Sequence, residues 1–359
     1  MRPAIALMAG SVLLSGCVVA ALPVVAAAGI GTKTVVDRQD GKKRKSRKPA
    51  APGAQAPVPG QTVETEGTAV LTDLKQLPPP DGAAPASPAT AAAPGATHVP
   101  PEMQYLYGSG EGAAISIQAY RALWNYLKND LSYRRDKSQI SSVVLSRGAT
   151  LASPRFELCG KRPLAVVLDV DETALLNLGF ESYAATRGDS YDQGRWTRWE
   201  QTGADKVAAV PGAAETLAAA RREGYTVIFN SNRSTSTAAQ TAAALDGAGL
   251  GPAVLGDTLY LRDDGTPSGK DERRWKIAEH YCIVAMVGDQ LGDFSDLFNT
   301  PDNSVVTRRN ATSETLLAPL WGAGWFVLPN PVYGSALKGG LDEVFPKDKQ
   351  WADPAEEKK

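Results

Sequence analysis

Two aspartates one residue apart, Asp169 and Asp171, close the apolar run Leu164-Ala-Val-Val-Leu168. In an extended chain such a pair points to one side. One carboxylate could therefore attack a phosphorus atom while the other handles a proton at the same centre. Asp-x-Asp more often ends a strand in an acidic turn or caps a helix, so company elsewhere decides between the two. That company stands at three places: Ser231-Asn232-Arg233 after the apolar run 225–230, Lys270 before a helical pattern, and Gly288-Asp289-Gln-Leu-Gly-Asp293 after 283–287. A phosphomonoester dianion repels a carboxylate nucleophile, so a divalent cation and fixed positive charge must neutralise it, and these residue types supply both. Only two histidines occur, His98 and His280, which leaves acid–base work to carboxylates.

The elements that must position these groups are legible as a pattern. Pro163 precedes the Leu164 run, which shows no polar alternation, as a strand covered on both faces of a parallel sheet requires. Beyond Asp171 helical and strand patterns alternate: helix 213–222, strand 225–230, helix 235–245, strand 257–261, helix 271–280, strand 283–287 and a last strand 325–328. This order predicts an α/β fold, a Rossmann-like parallel sheet with helices on both faces and right-handed crossovers. Ligands of such sheets bind outside the carboxyl ends of the strands. An amphipathic helix is expected over 113–131, with Ile117, Tyr120, Leu123, Trp124 and Leu127 on one face.

The first hundred residues differ in kind. Met1-Arg2 and the apolar 4–14 have the shape of a secretory signal, and Leu14-Ser-Gly-Cys17 resembles the bacterial lipobox, whose cysteine is lipidated after cleavage. Residues 18–31 are also largely apolar, so an uncleaved anchor is the competing reading, and the basic run 42–48 would then favour a cytoplasmic domain. Pro23 interrupts the stretch and favours the lipoprotein, and Val18 after the cysteine points to the outer membrane by resemblance to sorting rules. The expected organisation is a signal with lipobox at 1–17, an apolar then Ala/Pro-rich tether at 18–101, a folded domain at 102–346 and a polar tail at 347–359. A net charge of −1 gives no reason to expect a nucleic-acid polymer as partner.

The four motifs in order, Asp169-x-Asp171-x-Thr173, Ser231, Lys270 and Gly288-Asp289-x3-Asp293, resemble those of the haloacid dehalogenase superfamily. The wider stretches Val166 to Thr173, Trp196-Thr-Arg-Trp199, Ser231-Asn-Arg233 and Pro329-Asn-Pro-Val-Tyr-Gly334 resemble the bacterial lipoprotein class C acid phosphatases, which are 5'-nucleotidase-like. The resemblance implies a phosphomonoesterase in which Asp169 is the nucleophile, Asp171 the general acid and then base, and Ser231 and Lys270 bind the transferring oxygens. It further implies Mg2+ held by Asp169, the backbone carbonyl of Asp171 and Asp289, with Asp293 in the surrounding shell. Thr173, Asn232 and Arg233 are expected on the substrate. A small, mainly helical cap is expected over about 179–210, inserted after the first catalytic strand, and its aromatics Phe180, Trp196 and Trp199, with Tyr333, are candidates to clamp a nucleobase. For any one of them, a place in the cap's own core competes with that role. Leu176, Phe180 and Gln290 replace residues usual in relatives. Gly265-Thr-Pro-Ser-Gly-Lys270 resembles a nucleotide-binding P-loop but is one residue short between its glycines and lacks the following Ser/Thr. The competing functional reading is a catalytically silent envelope binding or storage lipoprotein of the same fold.

Export bears on Cys159 and Cys282, the cysteines left once Cys17 is assigned. In this superfamily the strands that follow them are parallel neighbours, which would place both at the non-catalytic end of the sheet. A disulfide and a pair of buried free thiols both remain open from the sequence.

Overall fold

Runs rich in valine and isoleucine without polar alternation are stable only between two covering layers, and the chain supplies both. The computed structural model describes residues 98–135, 140–187, 191–313 and 315–353, all within one compact unit. Its strands are β1 Ser141–Leu145, β2 Phe156–Leu158, β3 Leu164–Leu168, β4 Leu175–Leu176, β5 Ala208–Ala209, β6 Thr226–Ser234, β7 Leu259–Arg262, β8 Cys282–Gly288 and β9 Trp325–Val327. Its longer helices are α1 Gly110–Asn125, α2 Leu178–Arg187, α3 Gln193–Thr202, α4 Ala213–Arg222, α5 Ala238–Gly247, α6 Asp271–His280 and α7 Val305–Ser313.

Five strands form one sheet in the order β7-β6-β3-β8-β9, with every pairing parallel. Alternate residues of β3 feed opposite layers. Val166 and Leu168 pack with Leu123 of α1, Leu127 just after it, Leu217 of α4 and Leu245 of α5. Ala165 and Val167 pack with Ile277 of α6, Phe294, Phe298 and Ala311 of α7. From β3 the chain steps outward through β6 and β7, then returns to β8 and β9 on the other side. The reversal between β3 and β8 opens a crevice at their carboxyl ends, where a doubly wound sheet binds its ligand.

Two elements depart from the sequence pattern. The helix expected over 113–131 ends at Asn125 and gives way to a π-helical turn, Tyr126–Asp130, and a short helix, Leu131–Arg135. The strand expected to stop at 230 runs on to Ser234, which pairs with Arg262 beyond an irregularity after Asn230. Ser231-Asn232-Arg233 therefore lies on a bulged strand end and not on a free loop. Above the sheet, α2 and α3 form the cap, tied at its base by the antiparallel ribbon Leu175↔Ala209 and Leu176↔Ala208. Leu176 is buried in that ribbon, which explains an apolar residue there.

Cys159 and Cys282 are joined by a disulfide with Cα atoms 4.7 Å apart. Cys282 is the first residue of β8, opposite Leu164, so the bridge lies at the amino end of the sheet, away from the acids. It spans 123 residues, and closing so long a loop in the unfolded chain stabilises by about 5 kcal/mol in the chain-entropy account. Reduction is expected to lower the melting temperature by roughly 10 °C for a domain of this size, with little change in activity below the transition. Thiol counting on denatured, unreduced protein, paired with melts with and without reductant, checks this; two free thiols from 159 and 282 would refute it.

Among the described residues no helix is long and apolar enough to cross a membrane. The expected signal, Cys17 and residues 18–97 of the tether lie outside the described residues. The first helical turn is Pro101–Met103, and the last is Lys347–Lys349 in the expected polar tail.

Candidate active site

Asp169 follows β3 directly, and its N–H donates to the carbonyl of Val287 on β8 at 3.0 Å, fixing it over the crevice. Lys270, at the start of α6, places its Nζ 2.5 Å from Asp169 Oδ1 and 2.7 Å from Asp293 Oδ1. Asp171 faces a different bed. Its Oδ1 accepts from Arg233 Nε at 2.9 Å, Arg233 Nη2 at 2.8 Å and Asn177 Nδ2 at 2.9 Å, and Ser231 Oγ lies 3.4 Å from its Oδ2. Just after Asp171 the backbone turns sharply at Glu172, whose φ of 51° is the only positive value for a non-glycine among the described residues. Three bonds hold this turn: Glu172 N–H to the Leu175 carbonyl, and the Ala174 and Leu175 N–H groups to the Val170 carbonyl.

Asp289 and Asp293 reach the same place from the end of β8. Gly288 permits it, because a Cβ there would lie 2.2 Å from the Cβ of Asp293, which folds back against the strand. Asp169, Asp289 and Asp293 each offer an oxygen within 4.8 Å of the others. Asp289 is held by Thr173 Oγ1 and Asn330 Nδ2, each donating at 2.8 Å, and by Gln290 Nε2 at 3.1 Å. Asp293 accepts from the Gln290 N–H at 2.9 Å. Burial, and then the charge of Asp293, push the Asp289 carboxyl up to about 6. Burial likewise drives Asp169 upward, against the pull of Lys270. Three crowded carboxylates facing one lysine would be costly as anions, and an all-oxygen set of this kind fits a hard divalent cation. The residues present therefore fit a metal. Asp293, expected behind the metal, stands in the oxygen set itself, and the side chain of Asp171 stands outside it.

The acids floor a cavity of about 850 Å³. Phe180, Trp196 and Tyr333 line it, with Phe180 and Trp196 edge-to-face at 4.9 Å. Tyr333 keeps its ring half open to solvent while its hydroxyl donates to the buried Glu172. Asn232, Arg233 and Lys270 also reach the wall. Three expectations need correction. Trp199 does not line the cavity; it packs on Gly179 and Gly203, so tightly that a Cβ at Gly203 would lie 2.1 Å from its ring, and it serves as the cap's core. Thr173 is fully buried and does not line the cavity; its hydroxyl grips Asp289, so it positions a carboxylate. Ser231 is also fully buried and absent from the wall, its Oγ accepting the Arg233 N–H at 3.1 Å and facing Asp171. In the stretch resembling a P-loop, the N–H groups of Lys270 and Asp271 are already taken, donating to Asp296 at 2.8 and 2.9 Å.

Sequence reasoning passed over several polar residues of the site. Glu172 accepts from Tyr333, from Tyr107 at 3.2 Å and from the Asn177 N–H at 3.0 Å, and burial followed by the charge of Asp171 raises it to about 8. Glu181 of the cap, buried in the cavity wall, is raised to about 7 by the same two causes in the same order. Arg274, fully buried, donates to Asp271 and to the carbonyls of Gly292 and Asp293 at 3.0 and 3.1 Å, bolting the Lys270 helix to the Asp289 loop. The partners that give Glu172 and Arg274 their roles, Tyr107 and Tyr333 for the one and the carbonyls of Gly292 and Asp293 for the other, lie well away in sequence, so spacing carried no signal, although Glu172 sits inside the first motif.

A doubly wound α/β sheet with clustered aspartates and a lysine at its switch point, roofed by a small cap, defines a class of enzymes that transfer groups through carboxylates. Residues 117–336 match the family model described as HAD superfamily, subfamily IIIB (acid phosphatase). The chain belongs to that family, and is thus a phosphoric monoester hydrolase of the acid phosphatase type acting on small phosphomonoesters. Two solved structures of the class C acid phosphatase from Bacillus anthracis share the fold, each at 24% identity over 72% of this chain and 92% of that one. The tungstate-bound form superposes with a TM-score of 0.52 and the other with 0.53.

Proposed function

We propose that this chain is a Mg2+-dependent phosphatase of nucleoside monophosphates that works through an aspartyl-phosphate on Asp169, tethered by lipid at Cys17 in the cell envelope. The observation that carries the chemistry is the segregation of two neighbouring carboxylates, Asp169 beside Lys270 and Asp171 beside Arg233. Asp169 is then free to attack phosphorus in line, with Lys270 balancing charge on the transferring oxygens. Asp171 gives its proton to the departing alkoxide as the P–O bond breaks. It then takes one from the water that attacks phosphorus and frees Asp169 with inorganic phosphate. Ser231 and Arg233 hold the Asp171 side chain for both transfers. A magnesium ion at Asp169, Asp289 and Asp293, with the Asp171 carbonyl that the resemblance implies, would supply the electrostatic neutralisation that lets an anion approach an anion.

Phe180, Trp196 and Tyr333 on one wall support the nucleotide preference, since aromatic faces stack bases whatever their sequence. The test compares adenosine 5'-monophosphate, glucose 6-phosphate and p-nitrophenyl phosphate after chelation and after return of Mg2+. Chelation is expected to abolish turnover and Mg2+ to restore it, with the nucleotide preferred to the sugar phosphate. Tyr333→Ala should raise KM about tenfold for the nucleotide, the scale of one lost stacking contact of about 1–3 kcal/mol, and little for the sugar phosphate. Indifference to chelation would remove the metal from the proposal, and an equal KM change on both substrates would return Tyr333 to a structural role.

The location is supported by the Leu-Ser-Gly-Cys17 placement alone. Multi-chain lipidation anchors stably, where one chain holds only marginally, so Cys17→Ser is expected to release the protein from membranes or leave an unprocessed precursor. Mass spectrometry that finds Met1 intact in the mature wild-type protein would refute it.

A further inference from the structure

The cavity wall carries positive charge that the reaction above does not use. Arg262, the last residue of β7, reaches the cavity with its Nε buried and without a hydrogen-bond partner. The two acids that follow it are engaged elsewhere: Asp264 accepts from Ser234 Oγ at 2.6 Å and Asp263 from Thr235 Oγ1 at 3.2 Å. Behind Arg262, Arg273 of α6 spends its guanidinium on two neutral acceptors, Asn230 Oδ1 at 2.7 Å and Asn232 Oδ1 at 2.6 Å. The ion pairs of the site involve Arg233, Lys270 and Arg274, and neither Arg262 nor Arg273 has a carboxylate partner among the described residues. The bond from Arg273 has a second effect. With its Oδ1 engaged, Asn232 in the cavity wall presents its Nδ2 as a donor to whatever lies there.

We propose that Arg262 and Asn232 form a second anion subsite in the active-site cavity, which takes a further phosphate carried on the leaving group, so that bisphosphorylated substrates are preferred to monophosphates on the same scaffold. This rests on the phosphomonoesterase reading, with the phosphate to be cleaved at Asp169. A buried guanidinium N–H without a partner, beside a second arginine whose own bonds go to neutral amides, is an unfavourable arrangement that a dianion would relieve. A guanidinium fork suits the oxygens of a phosphate in two parallel bonds, which a lysine cannot match. The field is already felt within the protein: burial, then the neighbouring Arg274 and to a smaller extent Arg262, depress Arg273 to about 10, against the opposing pull of Asp169 and Asp296. The separation also fits. Asp169 continues β3 opposite Asn230, Asn230 pairs with Tyr260, and Arg262 lies two residues beyond. Two strand spacings make about 10 Å across the sheet, from which the long arginine side chain reaches back into the cavity, the scale of one sugar with a phosphate at each end.

The test measures KM for adenosine 3',5'-bisphosphate against adenosine 5'-monophosphate, and for fructose 1,6-bisphosphate against fructose 6-phosphate, in the wild-type holoenzyme and in Arg262→Gln, with Arg222→Gln on the far end of α4 as a charge control. Wild type and Arg222→Gln are expected to favour each bisphosphate at least tenfold, and Arg262→Gln to bring the ratio to within about twofold of one. Arg262→Lys, which keeps the charge and loses the fork, should fall between them and serves if the glutamine variant does not fold. Calorimetry of the two adenosine ligands on the Asp169→Asn protein with Mg2+ reads the same ratio without turnover. Loss of all phosphomonoesterase activity in wild type with that binding ratio intact would sink the catalytic reading and keep the subsite. Equal binding of the two ligands, or a ratio that Arg262→Gln leaves unchanged, would overturn the subsite.

Discussion

Asp169→Asn is expected to lower turnover by at least about four orders of magnitude, the scale on which an enzyme loses its nucleophile, while the protein stays folded. The amide keeps the shape of the carboxylate, and the N–H bond to Val287 that sets its position belongs to the backbone. Lys270 loses one of two partners and keeps Asp293 at 2.7 Å. Removing one of three crowded buried acids also relieves repulsion within the triad, so the melting temperature should hold or rise. Single-turnover assays with p-nitrophenyl phosphate and a melt on the same sample check both halves. Retention of even one hundredth of the wild-type rate would refute an aspartyl-phosphate on Asp169, and a collapsed melt would reassign the residue to the fold.

Asp171→Asn should fail differently. The amide still offers an oxygen to Arg233 and Asn177 but has no proton to give. Loss of a general acid typically costs about 10²–10⁴-fold. The loss should be greatest for an alkyl phosphate, whose alkoxide leaves badly, and at least about tenfold smaller for p-nitrophenyl phosphate, whose phenolate needs little help. The ratio of the two losses is the measurement that matters, because a merely structural defect would depress both substrates alike. Some destabilisation is expected beside it. Arg233 is almost wholly buried, and the variant leaves its charge opposite a neutral group. Equal losses on both substrates would leave Asp171 as an anchor for Arg233 and take the proton transfers elsewhere.

The chain's chemistry was legible because Asp169, Asp289 and Asp293 follow strands that the sequence marks by apolar runs and Lys270 opens a helical pattern between two such strands, so that the four could be gathered at one edge of the sheet. A parallel sheet converts order along the chain into juxtaposition at its carboxyl ends. The disulfide was reachable by the same logic at the opposite ends, yet whether the thiols join depends on where the loop before β3 lies, and only the placed backbone sets the Cα atoms 4.7 Å apart.

What the sequence could not decide is which way each side chain faces. Trp196 and Trp199 stand three residues apart on one helix. The first lines the cavity and the second fills the cap, because Gly179 and Gly203 open a slot for one ring and not the other. Thr173 and Ser231 lie in motifs that suggest contact with substrate, but their hydroxyls turn inward to Asp289 and Asp171. Glu172, which the sequence does not single out, becomes through Tyr107, Asn177 and Tyr333 the joint between amino-terminal helix, nucleophile loop and carboxyl-terminal loop. Arg262 carries no motif at all, and its meaning appears only when β7 is laid beside β6. Residue type and order along the chain determined which chemistry was possible and at which sheet edge. The choice of partner for each buried polar group was made by packing, since burial forces every such group to find its bond within a few ångströms, and those neighbours come from anywhere along the chain.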